Sequence, residues 1–266
     1  MKTILAILTL FFLLSSCEDI IEIDLDTIEP KLVIDGFIND QADQCIIKLS
    51  LTGDYFEPGI YPVVSDAQVS ITDGQGNLYI LEETEPGTYI SSDILGIENM
   101  SYSLVVWTEG ENYQAEVTMP ERVNIDFLSS MVPPLMLDFD EGYVLNCHFM
   151  DPAGISNYYR MKAYKISDSS KGSDSQVVFN DLLQDGNPTM VMWEVEAFMP
   201  YDTVVVELQT LAKSTYAYYS TLFPITGQGI FGASNPSNPT TNVSNDALGY
   251  FGSFTISRDT IVIIPE

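Results

Sequence analysis

Ala67-Gln68-Val69-Ser70-Ile71-Thr72-Asp73-Gly74-Gln75-Gly76-Asn77-Leu78-Tyr79-Ile80-Leu81 decides the fold. Ala67–Thr72 and Leu78–Leu81 are short period-two runs. Between them lies Asp73-Gly74-Gln75-Gly76-Asn77, a hairpin signal because glycine adopts positive φ without strain. The same pattern extends on both sides. Upstream, Leu32–Ile38 and Cys45–Leu51 read as strands, followed by a loop over Asp54–Pro62. Downstream, Pro86-Gly87 turns the chain into Thr88–Ser91, and Tyr102–Thr108 pairs with Tyr113–Met119 around Glu109-Gly110-Glu111. Seven strands in about ninety residues, with turns at regular spacing, predict a β-sandwich of immunoglobulin-like type. The Cys…Trp…Cys framework of antibody domains is absent, so the expectation concerns architecture only.

Met119-Pro120-Glu121 closes this unit, which divides the mature chain into residues 31–120 and a second β-rich domain over residues 121–266. Strands are expected there at Ile125–Ser129, Gly142–Met150, Tyr158–Ile166, Val177–Phe179, Thr189–Val195 and Thr203–Leu211. One short helix is expected near residues 214–222, with Ser214 as its cap and Pro224 beyond its end; Leu211, Thr215, Tyr218 and Leu222 share one face. Tyrosine is a modest helix former, so packing must hold it. A Gly/Asn/Ser/Pro/Thr loop over Thr226–Asn245 leads to a last hairpin, Gly249–Ser257 with Thr260–Ile264, turned at Arg258-Asp259.

The N-terminus sets location. Lys2 precedes eleven apolar or small residues, Ile4–Leu14, too short to span a bilayer, where about 20 are needed, so residues 1–16 read as an export signal. Leu14-Ser15-Ser16-Cys17 is the lipobox pattern of bacterial lipoproteins, which makes Cys17 the acylated first residue of the mature chain; the rival is an ordinary signal peptide containing a cysteine. Each buried methylene contributes roughly 0.8 kcal/mol, so two or three acyl chains hold essentially permanently. Residues 17–30 form a tether in which Glu18–Asp26 carries five acids in nine residues. Such a segment repels anionic headgroups and stands off the membrane.

Without Lys2 the chain keeps 38 acids against 9 bases, a formal charge of −29. Nucleic acid is excluded as a partner, since phosphate affinity needs clustered Lys and Arg. With 45% hydrophobic and 11% aromatic residues, the composition is that of a folded body with an acidic skin. Cys45 and Cys147 lie about a hundred positions apart in apolar strands of different units and are expected as buried free thiols rather than a disulfide.

Few residues point to chemistry, and no catalytic residue or cofactor is expected. His148 is the only histidine, and Cys147 beside it faces the opposite side of a strand, so the two cannot share a metal. No Gly-x-Ser-x-Gly elbow exists for a Ser-His-Asp triad. Asp138, Asp140 and Glu141 could serve as paired acids for glycoside hydrolysis, or be solvated turn residues. Asp181 and Asp185, with Gly186-Asn187, could hold calcium, but lack the spacing of an EF-hand. Tyr55, Phe56 and Tyr61 in one loop and Phe231 in another are aromatic groups on segments expected to be exposed. They fit a surface that binds a ligand or partner; the other reading is that they fold back as plugs of the sandwich ends.

Several segments resemble a known family: Cys17-Glu18-Asp19, Leu32-Val33-Ile34-Asp35-Gly36, Thr118-Met119-Pro120, and Asp151-Pro152…Asn157-Tyr158-Tyr159-Arg160. The tail does so too, at Tyr216-Ala217-Tyr218-Tyr219…Asn235-Pro236…Asn242-Val243…Asn245…Leu248-Gly249-Tyr250-Phe251-Gly252. These are similar to the Bacteroidota lipoproteins carrying domain of unknown function 4249, and the match spans essentially the whole mature chain. The acidic run after Cys17 also resembles the surface-export signal of Bacteroidota lipoproteins. The resemblance implies a lipid-anchored outer-membrane protein facing the cell exterior, often associated with a TonB-dependent transporter, and implies no reaction. The expected function is a non-enzymatic transporter accessory that binds substrate or the transporter. The alternatives are a structural or adhesive surface module and, with least support, a hydrolase, which a deep cleft lined by converging carboxylates would favour.

Overall fold

Asp73 makes the turn that its spacing predicts. Its carboxylate accepts the Asn77 side-chain amide at 2.8 Å and the backbone N–H groups of Gln75 and Asn77 at 2.9 Å, and Gly76 takes φ +87°. A computed structural model describes this chain over residues 29–41, 45–53, 59, 61–135, 137, 139, 141–168, 176–226 and 237–265. The fold is mainly β. The first half contributes β1 (Leu32–Asn39), β2 (Cys45–Leu51), β3 (Gln68–Asp73), β4 (Leu78–Glu85), β5 (Thr88–Ser91), β6 (Ser101–Thr108) and β7 (Glu111–Thr118). One layer is β1-β2-β5 and the other β4-β3-β6-β7; β4 crosses between them at an irregularity at Glu83/Glu85. Ile34, Ile47 and Leu49 of the first layer pack against Val69, Ile71, Leu104 and Val106 of the second. This is the strand arrangement of an immunoglobulin-like sandwich.

One residue confirms that assignment. Tyr102 stands at the start of the sixth strand, buried, and its hydroxyl donates to Leu95 O at 3.3 Å and accepts from Ile97 N–H at 2.9 Å. That is the tyrosine corner of such sandwiches, a buried ring whose hydroxyl satisfies backbone a few residues upstream.

The second half contributes β8 (Ile125–Met131), β9 (Val144–Met150), β10 (Tyr158–Lys165), β11 (Gln176–Asn180), β12 (Pro188–Met192), β13 (Thr203–Leu211), α1 (Lys213–Ile225) and β14 (Leu248–Val262). A three-stranded sheet, β12-β9-β8, covers the arm β11-β10-β13-β14. Their shared core holds Phe149, Tyr159, Met161, Trp193, Phe198 and Val206.

β14 corrects the expected final hairpin. It is one strand of 15 residues. Arg258 and Asp259 do not turn but lie opposite Glu207 and Val206 of β13, and Arg258 Nε donates to Glu207 Oε1 at 2.8 Å. A polar dipeptide that reads as a turn is here a cross-strand ion pair. The first half of β14 runs parallel to β1, from Val33↔Leu248 to Asn39↔Phe254, and the second antiparallel to β13. This strand joins both halves of the chain into one sheet, ordered β11-β10-β13-β14-β1-β2-β5-β4-β3-β6-β7.

The helix is corrected too. Its N-cap is Ala212, without a side-chain bond, and Ser214 lies inside the first turn. Thr215 holds the start of the helix instead: fully buried, its hydroxyl accepts from Ser253 N–H at 3.1 Å and donates to Ser253 O at 3.3 Å. β13 pairing ends at Leu211↔Phe254; Ala212 N–H still donates to Ser253 O at 3.0 Å, but its carbonyl is taken by Tyr216 N–H in the helix, so the Thr215 hydroxyl supplies the acceptor for Ser253 N–H. Pro224, expected beyond the end, sits inside the last turn, where its missing N–H forfeits one bond of the helix ladder. Thr215 and Phe223, rather than Leu222, are the buried helix residues.

Cys45 and Cys147 are free and buried in separate cores, as expected from the sequence. Burial pushes each thiol up to about 12 from 9.0. Three pH units cut the thiolate fraction about a thousandfold. A Cys17→Ser form without its leader should therefore give no fast reaction with a thiol-exchanging disulfide reagent at pH 8, and two equivalents once unfolded in guanidinium. A rapid native equivalent would show that one thiol is reachable.

Candidate functional site

The site grows from the turn that follows β11. Asn180 ends the strand and its side chain accepts Leu182 N–H, while Gln184 N–H returns to Asp181 O at 2.7 Å. This tight turn points Asp181 inward and Asp185 toward the loop after β9. Asp181, 8% exposed, accepts Asn157 N–H at 2.7 Å, and Asp185 accepts Gly154 N–H at 2.6 Å. A third carboxylate joins them. Asp151, 2% exposed, accepts the Tyr159 hydroxyl at 2.5 Å and Gly186 N–H at 3.0 Å. Burial, with Asp151 behind it, pushes the Tyr159 hydroxyl well above the usual tyrosine range, so it stays a donor. Carboxylate oxygens of Asp151, Asp181 and Asp185 all lie within 4.8 Å of one another. A hard cation would find its oxygen ligands in these three.

Asp181 and Asp185, both singled out in the sequence, are thus brought together, and Asp151 was missed as a ligand. It appeared only inside the Asp151-Pro152…Asn157-Tyr158-Tyr159-Arg160 motif. The spacing that would have revealed it, 30 residues before Asp181, is set by a strand and two loops rather than by any local repeat.

Asp151 and Asp181, but not Asp185, line a cavity of about 290 Å3 whose walls include Val177 and Phe179 of β11, Met190 and Val191 of β12, and Tyr159. Glu194 also lines it. These carboxylates converge as a hydrolase would require, yet their partners are neighbouring loop backbone and a tyrosine hydroxyl. Much of the lining is apolar, an arrangement suited to holding a ligand. A second depression, about 500 Å3, lies where residues 241–244 cross β6 and β7, with Glu116 its sole titratable residue.

The other candidates fall elsewhere. Tyr61 is exposed on the first sandwich, beside the Ser50↔Val63 bridge and apart from the carboxylates. Tyr55, Phe56, Phe231, Cys17, Asp138 and Asp140 lie outside the described residues. His148 stacks on Phe127, centroids 4.1 Å apart, and its Nε2 is 3.0 Å from Ser129 Oγ, while Cys147 faces the core. Among the described residues no carboxylate hydrogen-bonds the ring, so this pair lacks the orienting member of a triad.

The tail motif gathers around the helix. Tyr218 stacks on Tyr250 at 4.2 Å, and the hydroxyls of Tyr219 and Tyr250 are 2.6 Å apart. The Arg160 guanidinium, 3% exposed, lies 4.5 Å from the Tyr219 ring and 4.9 Å from Phe254, and its Nε donates to Gln209 at 2.6 Å. Burial, then Arg160, lowers neighbouring Lys162 to about 8 against the pull of Glu207. These residues lock α1 onto the sheet, which accounts structurally for the Tyr-rich motif.

No curated protein matches the chain. Among solved structures, the crystal structure of the FN1–FN3 domains of chicken CNTN1 is similar at 10% identity, over 89% of this chain and 67% of that one, with a TM-score of 0.28. The family described as Domain of unknown function (DUF4249) matches residues 18–260, so the chain belongs to that family.

Proposed function

We propose that this protein is a lipid-anchored, non-enzymatic surface module of the outer membrane that serves a TonB-dependent transporter by binding it or its substrate. The observation that carries this reading is the apolar surface that the second sandwich exposes beyond the end of β1. The tether over residues 17–30, about 50 Å when extended, leads into Leu32, the first residue of β1. β14 runs parallel to β1 and continues eight residues past Phe254, where β1 ends, extending roughly 26 Å further in the same direction. The second sandwich therefore extends beyond the end of β1. It displays exposed Phe127, Met150 and Met190 on its three-stranded sheet and Leu182-Leu183 on the turn beside the carboxylates. Exposed apolar groups on a rigid β scaffold mark interaction surfaces.

The test is a mild-detergent pull-down of the tagged, lipidated protein from native membranes, read by mass spectrometry. A stoichiometric TonB-dependent barrel is expected. Recovery of the protein alone, yet cleavable by protease on intact cells, would sink this reading and favour a free-standing structural or adhesive module, for which the immunoglobulin-like first sandwich is the supporting feature.

A further inference from the structure

We propose that the cleft between the edges of β11 and β12 binds a small organic cation, an amine or quaternary ammonium with a short apolar arm. It stands whether or not the chain serves a transporter.

The cleft exists because both layers of the second sandwich end there. β11 is the last strand of the large sheet and β12 the last of the three-stranded one, and the about 290 Å3 cavity lies between their side chains. That volume is at the lower end for small-molecule sites.

Its chemistry selects the charge. Asp151 and Asp181 are more than nine-tenths buried, and among the described residues neither is paired with Lys or Arg. Buried carboxylates are costly unless compensated. Here the compensation is a hydroxyl and backbone N–H groups, with Asp185 adding a third negative charge within 4.8 Å. A separate observation points the same way. Asn157, 9% exposed, brackets Asp181 through its backbone N–H and C=O, and its side-chain oxygen is buried with no donor. Among the described residues this corner has a surplus of acceptors over donors.

Its shape selects an organic cation. A bare metal ion would occupy a small part of the volume and leave the apolar wall unused. Phe179, half-buried on the cavity wall and backed by the Tyr159 ring at 5.3 Å between centroids, offers the π surface that attracts ammonium groups. Val177 and Val191 supply contact for an apolar arm. The chain's strongly negative charge raises the local concentration of any cation.

The experiment is calorimetric titration of the full mature chain in nonionic detergent with choline, butylammonium and 3,3-dimethylbutanol, the uncharged isostere of choline. Choline or butylammonium should bind at least tenfold more tightly than the alcohol. Asp181→Asn should weaken that binding at least tenfold. Should Asp181→Asn fail to fold, Glu194→Gln, at an exposed lining position, should weaken it about threefold. Phe179→Leu should lower the preference for the quaternary ammonium. Equal binding of the alcohol, no binding of either cation, or tight calcium binding that excludes both would each overturn the proposal, the last in favour of a metal centre.

Discussion

Gly249→Ala is expected to destabilise the protein by at least about 4 kcal/mol, enough to leave little folded chain. Gly249 pairs with Ile34 where β14 runs beside β1, and its φ is +84°. Alanine would meet two separate costs. The left-handed backbone costs an L-residue roughly 1–2 kcal/mol. The added Cβ would also lie 2.0 Å from Ile34 O, 2.8 Å from its carbonyl carbon and 3.0 Å from its nitrogen. Those atoms belong to a strand held on both sides, by β2 and β14, so they cannot retreat without opening a ladder. Gly110→Ala separates the two costs. Gly110 has φ +83° in the hairpin between β6 and β7, with nothing within 4 Å of its would-be Cβ, so only the backbone term of roughly 1–2 kcal/mol applies. Urea unfolding of both variants measures the difference. Equal losses would mean that the β1–β14 approach is looser than the geometry describes.

The sequence made local order legible and long-range order obscure. The hairpin at Asp73–Asn77 and the strands around it were readable because alternation and turn chemistry act within a few residues. So was the sandwich, which needs only enough short strands at regular spacing. β14 was not, because Arg258-Asp259 is polar in either role, and only the Glu207 partner across the sheet shows that it is straight. The Ser214 cap failed likewise: Thr215 is anchored by Ser253, 38 residues away, and no capping rule reaches that far. Half of the site was visible. Asp181 and Asp185 share one turn, whereas Asp151 reaches them through the Tyr159 hydroxyl and Gly186 N–H, contacts made only when β9 and β10 cover each other. The exposed-aromatic expectation survives for Tyr61 as exposure alone, since the carboxylates that line the cleft lie on the other sandwich.

Asp40 offers the second large effect, because one carboxylate replaces a missing piece of sheet. β1 ends at Asn39, opposite Phe254, while β14 continues. Two residues on, Ile256 N–H would have no partner on that side; Asp40 Oδ1 accepts it at 3.0 Å. Asp40 Oδ2 accepts Arg122 Nε at 2.8 Å and its terminal nitrogen at 2.5 Å, and Arg122 belongs to the segment linking the two sandwiches. A side chain only 4% exposed therefore ties the end of β1, the linker and the second half of β14. Asp40→Ala strands a backbone donor and an arginine together and should cost about 3 kcal/mol. Asp40→Asn keeps an acceptor for Ile256 but loses the charge pair, and should cost about half as much. Arg122, more than a third exposed, can be replaced by water around the carboxylate, so Arg122→Ala should cost about 1 kcal/mol. In the double variant the losses should fall short of additive, since each single change already breaks the shared contact. Because the tie crosses between the two sandwiches, Asp40→Ala should also broaden or split the thermal transition seen by calorimetry. A loss below about 0.5 kcal/mol with one sharp transition would show that the parallel β1–β14 ladder alone couples the halves.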